Sequence, residues 1–171
     1  LGSIKGISGM DWINSIETQL SAGLNLNHQN RKIIEFEENE YLQGLEFLNS
    51  LYHFIIFEQV LTITYKTFKS STNSVYQISP YYLKQYNNRW FLFGLNHELN
   101  KLQNLALDRI ISINSLNEKY ADTDIDFNEY FEDIIGVTNI EAQKVEEVII
   151  ELSENIIPYI KSKPIHGSQV I

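Results

Sequence analysis

Residues 79–95 decide the fold, and their sequence is SPYYLKQYNNRWFLFGL. Residues 81–86 alternate along the chain, and the pair Asn87-Asn88 follows them. Asparagine tolerates the positive φ that a two-residue hairpin turn requires, so this pair predicts a tight turn. Residues 89–95 are almost wholly apolar, which is typical of a strand covered on both faces. The stretch is therefore predicted to be a β-hairpin around which the remaining strands wrap.

The chain on both sides of this hairpin supplies further strand patterns. Residues 60–66 alternate as a strand, 75–78 form a second strand, and polar residues 96–101 predict the next turn. Two more short strands are predicted at 103–107 and 110–116. At least five short strands at close spacing are typical of a small β-barrel.

Helical patterns precede the strands. Apolar residues recur at three- and four-residue intervals from 38 to 59, which predicts a long helix that packs on the barrel. An alternative is that one face of this helix also serves a subunit interface. Residues 12–24 predict a shorter helix and 32–36 a short strand, after a Gly- and Ser-rich lead.

The pattern changes after residue 117. A short capped helix ended by Gly136 is predicted from residue 126 to 135. Residues 144–152 alternate as a strand, and a helix follows at 153–161 with Ser153 as its cap. A strand and a helix with nothing to pair against predict the start of a C-terminal α/β extension.

Composition narrows the possible functions. The 171 residues carry a net charge of −9 and no cysteine, which excludes a disulfide framework, thiol catalysis and cysteine-based zinc sites. The negative charge opposes nonspecific binding along nucleic acid but leaves room for a local basic pocket. No apolar run approaches the roughly 20 residues that cross a bilayer, and no signal-peptide pattern opens the sequence, so we expect a cytoplasmic protein without membrane contact.

Candidate binding residues lie along the predicted strands. Alternation places Tyr82, Lys84 and Tyr86 on one strand face, where a cation between two rings suits an anionic, planar ligand. A solvated strand face of amphipathic tyrosines is the alternative. Asp108 is expected to pair with Arg109 or to orient it toward a ligand. The full set of candidate ligand contacts is Tyr65, Lys66, Tyr82, Lys84, Arg89 and Arg109.

The sequence offers no catalytic constellation. The four histidines fall on no metal-ligand spacing, and the acidic run at 122–126 lacks the glycine and glutamate of a calcium loop. There is no Gly-rich phosphate loop and no Gly-x-Ser-x-Gly elbow. We therefore predict no enzyme activity, no metal and no cofactor.

Four elements in order resemble those of a known family. Residues 89–92, Arg-Trp-Phe-Leu, resemble the Trp-Tyr-Leu signature of WYL domains, with Phe91 in the tyrosine place. The other three elements are Ile63-Thr64-Tyr65, Pro80 and Leu107-Asp108-Arg109-Ile110. The resemblance covers roughly residues 60–116.

The resemblance implies an α+β protein with a small SH3/Sm-like antiparallel β-barrel that senses an effector for a bacterial transcription regulator. Residues 1–58 would be a lead and linker helices, 59–118 the WYL barrel, and 119–171 a connecting helix and the truncated start of a C-terminal extension. DNA would be bound only through a helix-turn-helix domain outside this chain.

The effector class that the resemblance implies is a nucleotide or nucleic acid, bound by basic side chains. Gln77, Gln103 and Ala106 stand where members of the family often carry basic residues, which favours a smaller or less charged anion, or a structural barrel. A second hypothesis is a single-strand nucleic-acid binder, which the aromatics Tyr76, Tyr81, Tyr82 and Tyr86 would favour. A third is a structural module that forms a homodimer without ligand.

Overall fold

The computed structural model describes residues 42–68, 72–139 and 144–171. The chain divides into two compact units, Leu1–Thr123 and Asp124–Ile171. The helix predicted at 12–24 and the strand predicted at 32–36 lie outside the described residues.

Five antiparallel strands form the sheet of the first unit in the order β4-β3-β2-β1-β5. Their bounds are β1 (Val60–Tyr65), β2 (Ser74–Tyr86), β3 (Arg89–Asn96), β4 (Lys101–Ala106) and β5 (Ile110–Leu116). The predicted α+β class and the antiparallel sheet are confirmed.

The central hairpin forms as its turn residues predict. Asn87 and Asn88 have φ values of 47° and 56°, in the left-handed region that a type I′ hairpin turn requires at both positions. The turn sets the register, because Tyr86 and Arg89 face each other directly across it.

A β-bulge joins what the sequence predicted as two separate strands. Pro80 pairs with Gly94 and Tyr82 with Phe93, so Tyr81 is an additional residue on β2. Proline donates no ladder hydrogen bond, and a Cβ at Gly94 would lie 2.5 Å from the Ser79 carbonyl oxygen, so the close approach requires glycine. The strands predicted at 75–78 and 81–86 are therefore one strand that bends at Tyr81.

The sheet is strongly curved but open. In a flat sheet the two edge strands would lie about 19 Å apart, four spacings of about 4.8 Å. Only a three-residue 3-10 helix, Leu107–Arg109, connects β4 to β5, and four residues span at most about 14 Å. The sheet must therefore curl, yet no strand pairing joins β4 to β5 within the described residues. A closed barrel is not confirmed.

The core lies on one face of the curved sheet under helix α1 (Leu48–Ile56). The residues of this core are Leu48, Leu51, Leu61, Ile63, Tyr65, Ile78, Leu92, Leu105, Leu107 and Ile110. Every strand contributes to it, and β1 does so with the alternate residues Leu61, Ile63 and Tyr65, as expected for a sheet that buries one face. The predicted packing of the helix on the sheet is confirmed.

The predicted helix 38–59 is shorter in the structure, where a 3-10 turn, Leu45–Phe47, leads into α1. Residues 38–41 lie outside the described ranges. Gly44 stops the helix because it has a φ of 85° and a Cβ there would overlap the backbone of Leu107. Each helix in the described ranges falls short of the length and apolarity that a bilayer span requires.

The second unit contains two short helices. Helix α2 (Phe127–Tyr130) has Asp126 as its cap, whose side chain accepts from the backbone N–H of Asn128 at 2.8 Å. The predicted cap is therefore confirmed, but the predicted extension of this helix to residue 135 is wrong. Helix α3 (Ile157–Ser162) has Pro158 in its first turn. The side chain of Ser153 does not cap this helix, so that prediction is wrong.

The strand predicted at 144–152 is also wrong. Residues 144–153 have no regular secondary structure. The alternating pattern remains, but strand formation requires a neighbouring backbone to pair with. The described part of the second unit contains no strand that could provide one.

Candidate functional site

One face of the β2–β3 hairpin carries aromatic and cationic side chains in register. Residues directly opposite each other in an antiparallel pair lie on the same face of the sheet. The six residues, named here the aromatic–basic face, are Tyr82, Lys84 and Tyr86 on β2 and Phe93, Phe91 and Arg89 opposite them on β3. The structure thus places Tyr82, Lys84 and Tyr86 together as alternation predicts, while ligand binding by them stays a prediction.

Two tyrosine rings of this face stand at the surface on either side of a lysine. Tyr82 is 37% exposed and Tyr86 is 40% exposed, and Lys84 between them is half-buried. Tyr82 also contacts the fully buried ring of Phe93 edge to face, with 6.4 Å between the ring centroids. The arrangement offers a flat ligand two aromatic surfaces with one cation between them.

The environment of Lys84 favours an anionic ligand. Desolvation by burial lowers the pKa of Lys84 below its ordinary value. An ammonium group that has lost part of its hydration gains more from a nearby negative charge than a fully solvated one does. A phosphate or carboxylate placed between the two tyrosines would therefore bind more strongly than at an ordinary surface lysine.

Asp108 pairs with Arg89 of the aromatic–basic face, and the predicted pair with Arg109 is wrong. The Arg89 Nη2 to Asp108 Oδ2 distance is 3.3 Å, and the side chains are 43% and 16% exposed. Asp108 and Arg109 are neighbours in a 3-10 helix, where successive side chains point about 120° apart. The guanidinium of Arg109 therefore projects in a different direction from the carboxylate of Asp108.

Arg109 lies over an aromatic ring from the β1–β2 loop. Its Cζ is 4.1 Å from the ring centroid of Phe68, a close cation–π contact. The backbone of Arg109 is also held, because its carbonyl accepts from the N–H of Lys66 at 3.0 Å. The side chain of Lys66 is exposed.

Tyr65 connects the strand β1 to the end of β4. Its hydroxyl accepts from the backbone N–H of Ala106 at 3.2 Å, and its ring is buried in the core. Burial raises the pKa of Tyr65, while the hydrogen bond from Ala106 and the charge of Arg109 oppose that increase. Tyr65 is therefore a structural residue that also lies close to the Arg109 guanidinium.

The six predicted site residues form two groups. Tyr82, Lys84 and Arg89 lie on the aromatic–basic face. The other group is Tyr65, Lys66 and Arg109, at the end of β1 and in the 3-10 helix. The 3-10 helix connects the groups, because Asp108 pairs with Arg89 while the next residue contacts Phe68.

Three buried polar atoms around the 3-10 helix have no hydrogen-bond partner among the described residues. They are the indole Nε1 of Trp90, Oδ1 of Asp108 and Nε of Arg109. Trp90 is partly buried and packs against the core. Buried polar atoms are nearly always hydrogen-bonded, so these two donors and one acceptor are positions where water or a ligand could bind.

Of Gln77, Gln103 and Ala106, the last two make hydrogen bonds within the sheet. Gln103 accepts through Oε1 from Nδ2 of Asn96 at 2.8 Å, which supports the β3–β4 turn. Ala106 is buried, and its N–H is the donor to Tyr65. Gln77 is exposed.

The described residues contain no group of three or more His, Asp or Glu that could hold a metal ion. Within the acidic run, Asp122 accepts from the N–H of Thr123 and Asp126 caps α2. Both carboxylates therefore make local backbone contacts.

Sequence reasoning missed two functional neighbours. Phe68 was not singled out, but its ring lies under Arg109. Tyr120 was not singled out, but its hydroxyl donates to the Pro80 carbonyl at 2.6 Å. Phe68 could have been noticed as the one aromatic in its loop, whereas nothing local to Tyr120 signals a contact with a residue 40 positions earlier.

Comparisons with known proteins give a matching family model and a similar solved structure. The family model of the WYL domain matches residues 46–115. A comparison with curated proteins finds no match. Among solved structures, the chain is similar to proteasome accessory factor B/C (PafBC) of Arthrobacter aurescens, with 15% identity and a TM-score of 0.44. That likeness covers 48% of this chain and 13% of the PafBC chain.

Proposed function

We propose, from the premise that residues 46–115 are a WYL domain, that this chain is the effector-sensing module of a bacterial transcription regulator. The regulator acts in the cytoplasm and binds DNA through a domain outside this chain. The curved sheet, with a 3-10 helix between its fourth and fifth strands, supports a small SH3/Sm-like barrel as the underlying topology. The module binds rather than catalyses.

The aromatic–basic face is the observation that carries the proposal. It presents the exposed rings of Tyr82 and Tyr86 with Lys84 between them, and Arg89 completes the cationic side. Rings stack on a planar base, and cations meet a phosphate or carboxylate. We therefore propose a nucleotide or a short oligonucleotide as the effector class, with Arg109 as a second contact at the 3-10 helix.

The net charge of −9 favours a small ligand bound at one site over an extended nucleic acid. Binding along extended nucleic acid would depend on many phosphate contacts, and this chain has only 13 Lys and Arg residues against 22 Asp and Glu. A small anion bound at Lys84 requires only a few cations at one place. The charge balance thus favours a compact effector over a long strand.

Regulation then requires that the effector bind two states of the module with different affinity. Only a ligand with such a difference shifts the equilibrium between the states, and coupling energies are typically about 1–3 kcal/mol. In this proposal the occupied face changes how the sheet sits against the elements that follow it, and the DNA-binding domains respond.

The test is the thermal stability of the chain with nucleotides, cyclic dinucleotides and short single-stranded oligonucleotides. A ligand that binds only the folded state raises the unfolding midpoint by mass action, and saturation should raise it by several degrees. Lys84→Ala and Arg109→Ala should abolish the shift. Lys119→Ala, at an exposed lysine outside the face, should keep it.

The same experiment separates the rival functions. A steep salt dependence of oligonucleotide binding would favour a single-strand nucleic-acid binder. Exposed Tyr82 and Tyr86 favour that reading, but Tyr76 packs against the core and the Tyr81 hydroxyl is bonded to the Ala121 carbonyl. A folded chain that forms a homodimer and responds to none of these ligands would leave a structural module as the better account.

A further inference from the structure

The chain that leaves β5 is fastened to the bulge of β2. Residues 120–122, named here the strap, make four hydrogen-bond contacts there. The Tyr120 hydroxyl donates to the Pro80 carbonyl at 2.6 Å. The Tyr81 hydroxyl donates to the Ala121 carbonyl at 2.7 Å, with the Asp122 carbonyl as a second, longer acceptor at 3.4 Å. The backbone N–H of Ala121 donates to Oγ of Ser79 at 3.1 Å. The strap therefore contacts three successive residues of β2.

The two tyrosines of this junction also pack on each other. The rings of Tyr81 and Tyr120 meet edge to face, with 5.9 Å between centroids and 83° between planes. Each hydroxyl crosses to the other segment, so neither segment can move without breaking the other's bond. Ser79 is fully buried, and its Oγ also lies 2.8 Å from Nε2 of His97, which fixes the acceptor of the Ala121 N–H.

The junction lies between the aromatic–basic face and the end of the first unit. Tyr81 is the additional residue of the bulge, and the next residue, Tyr82, begins the aromatic–basic face. A bulge sets the local bend and which side chains face which way, so a change at Tyr81 changes the orientation of Tyr82 and Lys84. On the other side, Ala121 lies just before Thr123, the last residue of the first unit.

We propose that the strap is the coupling element between the aromatic–basic face and the chain that follows Thr123. The proposal rests on the proposed function for its ligand, but the mechanical link does not. Bending of β2 at the bulge moves the Tyr81 hydroxyl relative to Ala121, and the strap passes that movement to the chain that follows. The reverse also holds, because coupling between two sites is reciprocal.

Hydrogen exchange of the ligand-free chain tests the link. Tyr81→Phe removes one strap bond and keeps the ring, and Ser79→Ala removes the acceptor of the Ala121 N–H. Each substitution should speed exchange about fivefold, the effect of a hydrogen bond of about 1 kcal/mol, both at 120–123 and at 82–86. Tyr76→Phe, on the same strand but packed on Tyr65, should change neither segment.

The amide of Ile63 in the core strand β1 reports global opening, and exchange at the other positions is compared with it. If both strap variants speed exchange at 120–123 and leave 82–86 as in the wild type, the strap is only a local fastening and the coupling is overturned. This outcome does not depend on whether any ligand binds.

A short oligodeoxythymidylate then tests the signal in the full chain. If it binds the wild type, occupancy should change exchange at 120–123, and Tyr81→Phe should bind it yet lose that change. Binding with unchanged exchange at 120–123 would overturn the coupling. If neither this probe nor the nucleotides bind, the proposed function fails, and the ligand-free comparison alone decides whether the strap couples the two parts.

Discussion

Residues 60–66 and 144–152 are both predicted from their sequence to be strands, but only the first segment forms one. Leu61 in β1 pairs with Ile78 on one side and Ser115 on the other, and its side chain is fully buried. Val148 in the second segment is 75% exposed and lies in no regular structure. The first segment has a neighbouring strand on each side, whereas the second has none in the described part of its unit.

The difference shows that a segment forms a strand only where a neighbouring strand is available to pair with it. An alternating segment has one face that gains from burial, but its backbone N–H and C=O groups need partners in the next strand. β1 finds two such partners within about 55 residues of chain, and the segment 144–152 finds none in the described part of its unit. Substitutions in the two regions should therefore have very different costs.

The largest difference is expected for Leu61→Ala compared with Val148→Ala. Leu61 is fully buried between two paired strands, so its truncation leaves a cavity and should lower the free energy of unfolding by about 2–5 kcal/mol. Val148 is exposed, so its truncation should change the same free energy by less than about 0.5 kcal/mol. Urea titration followed by tryptophan fluorescence measures both.

The comparison would be broken if Val148→Ala cost as much as Leu61→Ala, since the 144–152 segment would then be packed in solution. Ile149→Ala is the second substitution to make in that case. Ile149 is also exposed and faces the opposite way in an alternating segment, so it shows whether one face or both are buried.

A smaller difference is expected for glycines. At Gly94 a new Cβ would lie 2.5 Å from both the Ser79 carbonyl oxygen and Cγ2 of Ile78, so Gly94→Ala should cost about 1–3 kcal/mol. At Gly167 a Cβ would meet nothing within 4 Å, so Gly167→Ala should be neutral or slightly stabilising. The melting temperatures of the two variants measure this.

A neutral Gly94→Ala would show that β2 can move away from β3 at the bulge. The register of Tyr82 with Phe93 would then be free to change, and the aromatic–basic face would not be fixed. The amide exchange of Phe93 in that variant distinguishes a shifted register from a simple local adjustment.

The sequence predicts the parts of this fold that depend on neighbouring residues. The Asn87-Asn88 turn, the paired strands and the Asp126 cap follow from local chemistry, and all three appear in the structure. The bulge at Tyr81 and the late start of the helix, after Gly44, could not be predicted in this way. Each depends on a backbone far along the chain, that of Gly94 in one case and of Leu107 in the other.

The candidate site likewise contains contacts that the sequence predicts and contacts that it does not. Alternation along one strand placed Tyr82, Lys84 and Tyr86 together, because the period of two is fixed by the backbone. The Asp108–Arg89 pair and the Arg109–Phe68 contact could not be foreseen, because they depend on a 3-10 helix where side-chain directions follow a different period.

The smallest expected effect is on the pH dependence of stability, through Tyr120 of the first unit. Burial raises the pKa of Tyr120 above its ordinary value, and Tyr81, Glu58 and Asp122 raise it further. Above pH 10 the unfolded chain loses the Tyr120 proton while the folded chain keeps it, so the unfolded state binds fewer protons and stability falls with rising pH.

The stabilising effect of Tyr120 is thus fully present below pH 10 and is lost as the pH rises toward its folded pKa. One tyrosine contributes at most about 1.4 kcal/mol per pH unit to that slope. Tyr120→Phe should remove its share and make the fall between about pH 10 and 11 shallower than in the wild type. Equal slopes for the two chains would mean that the Tyr120 hydroxyl is open to water, and then the hydrogen bond to Pro80 that holds the strap does not persist in solution.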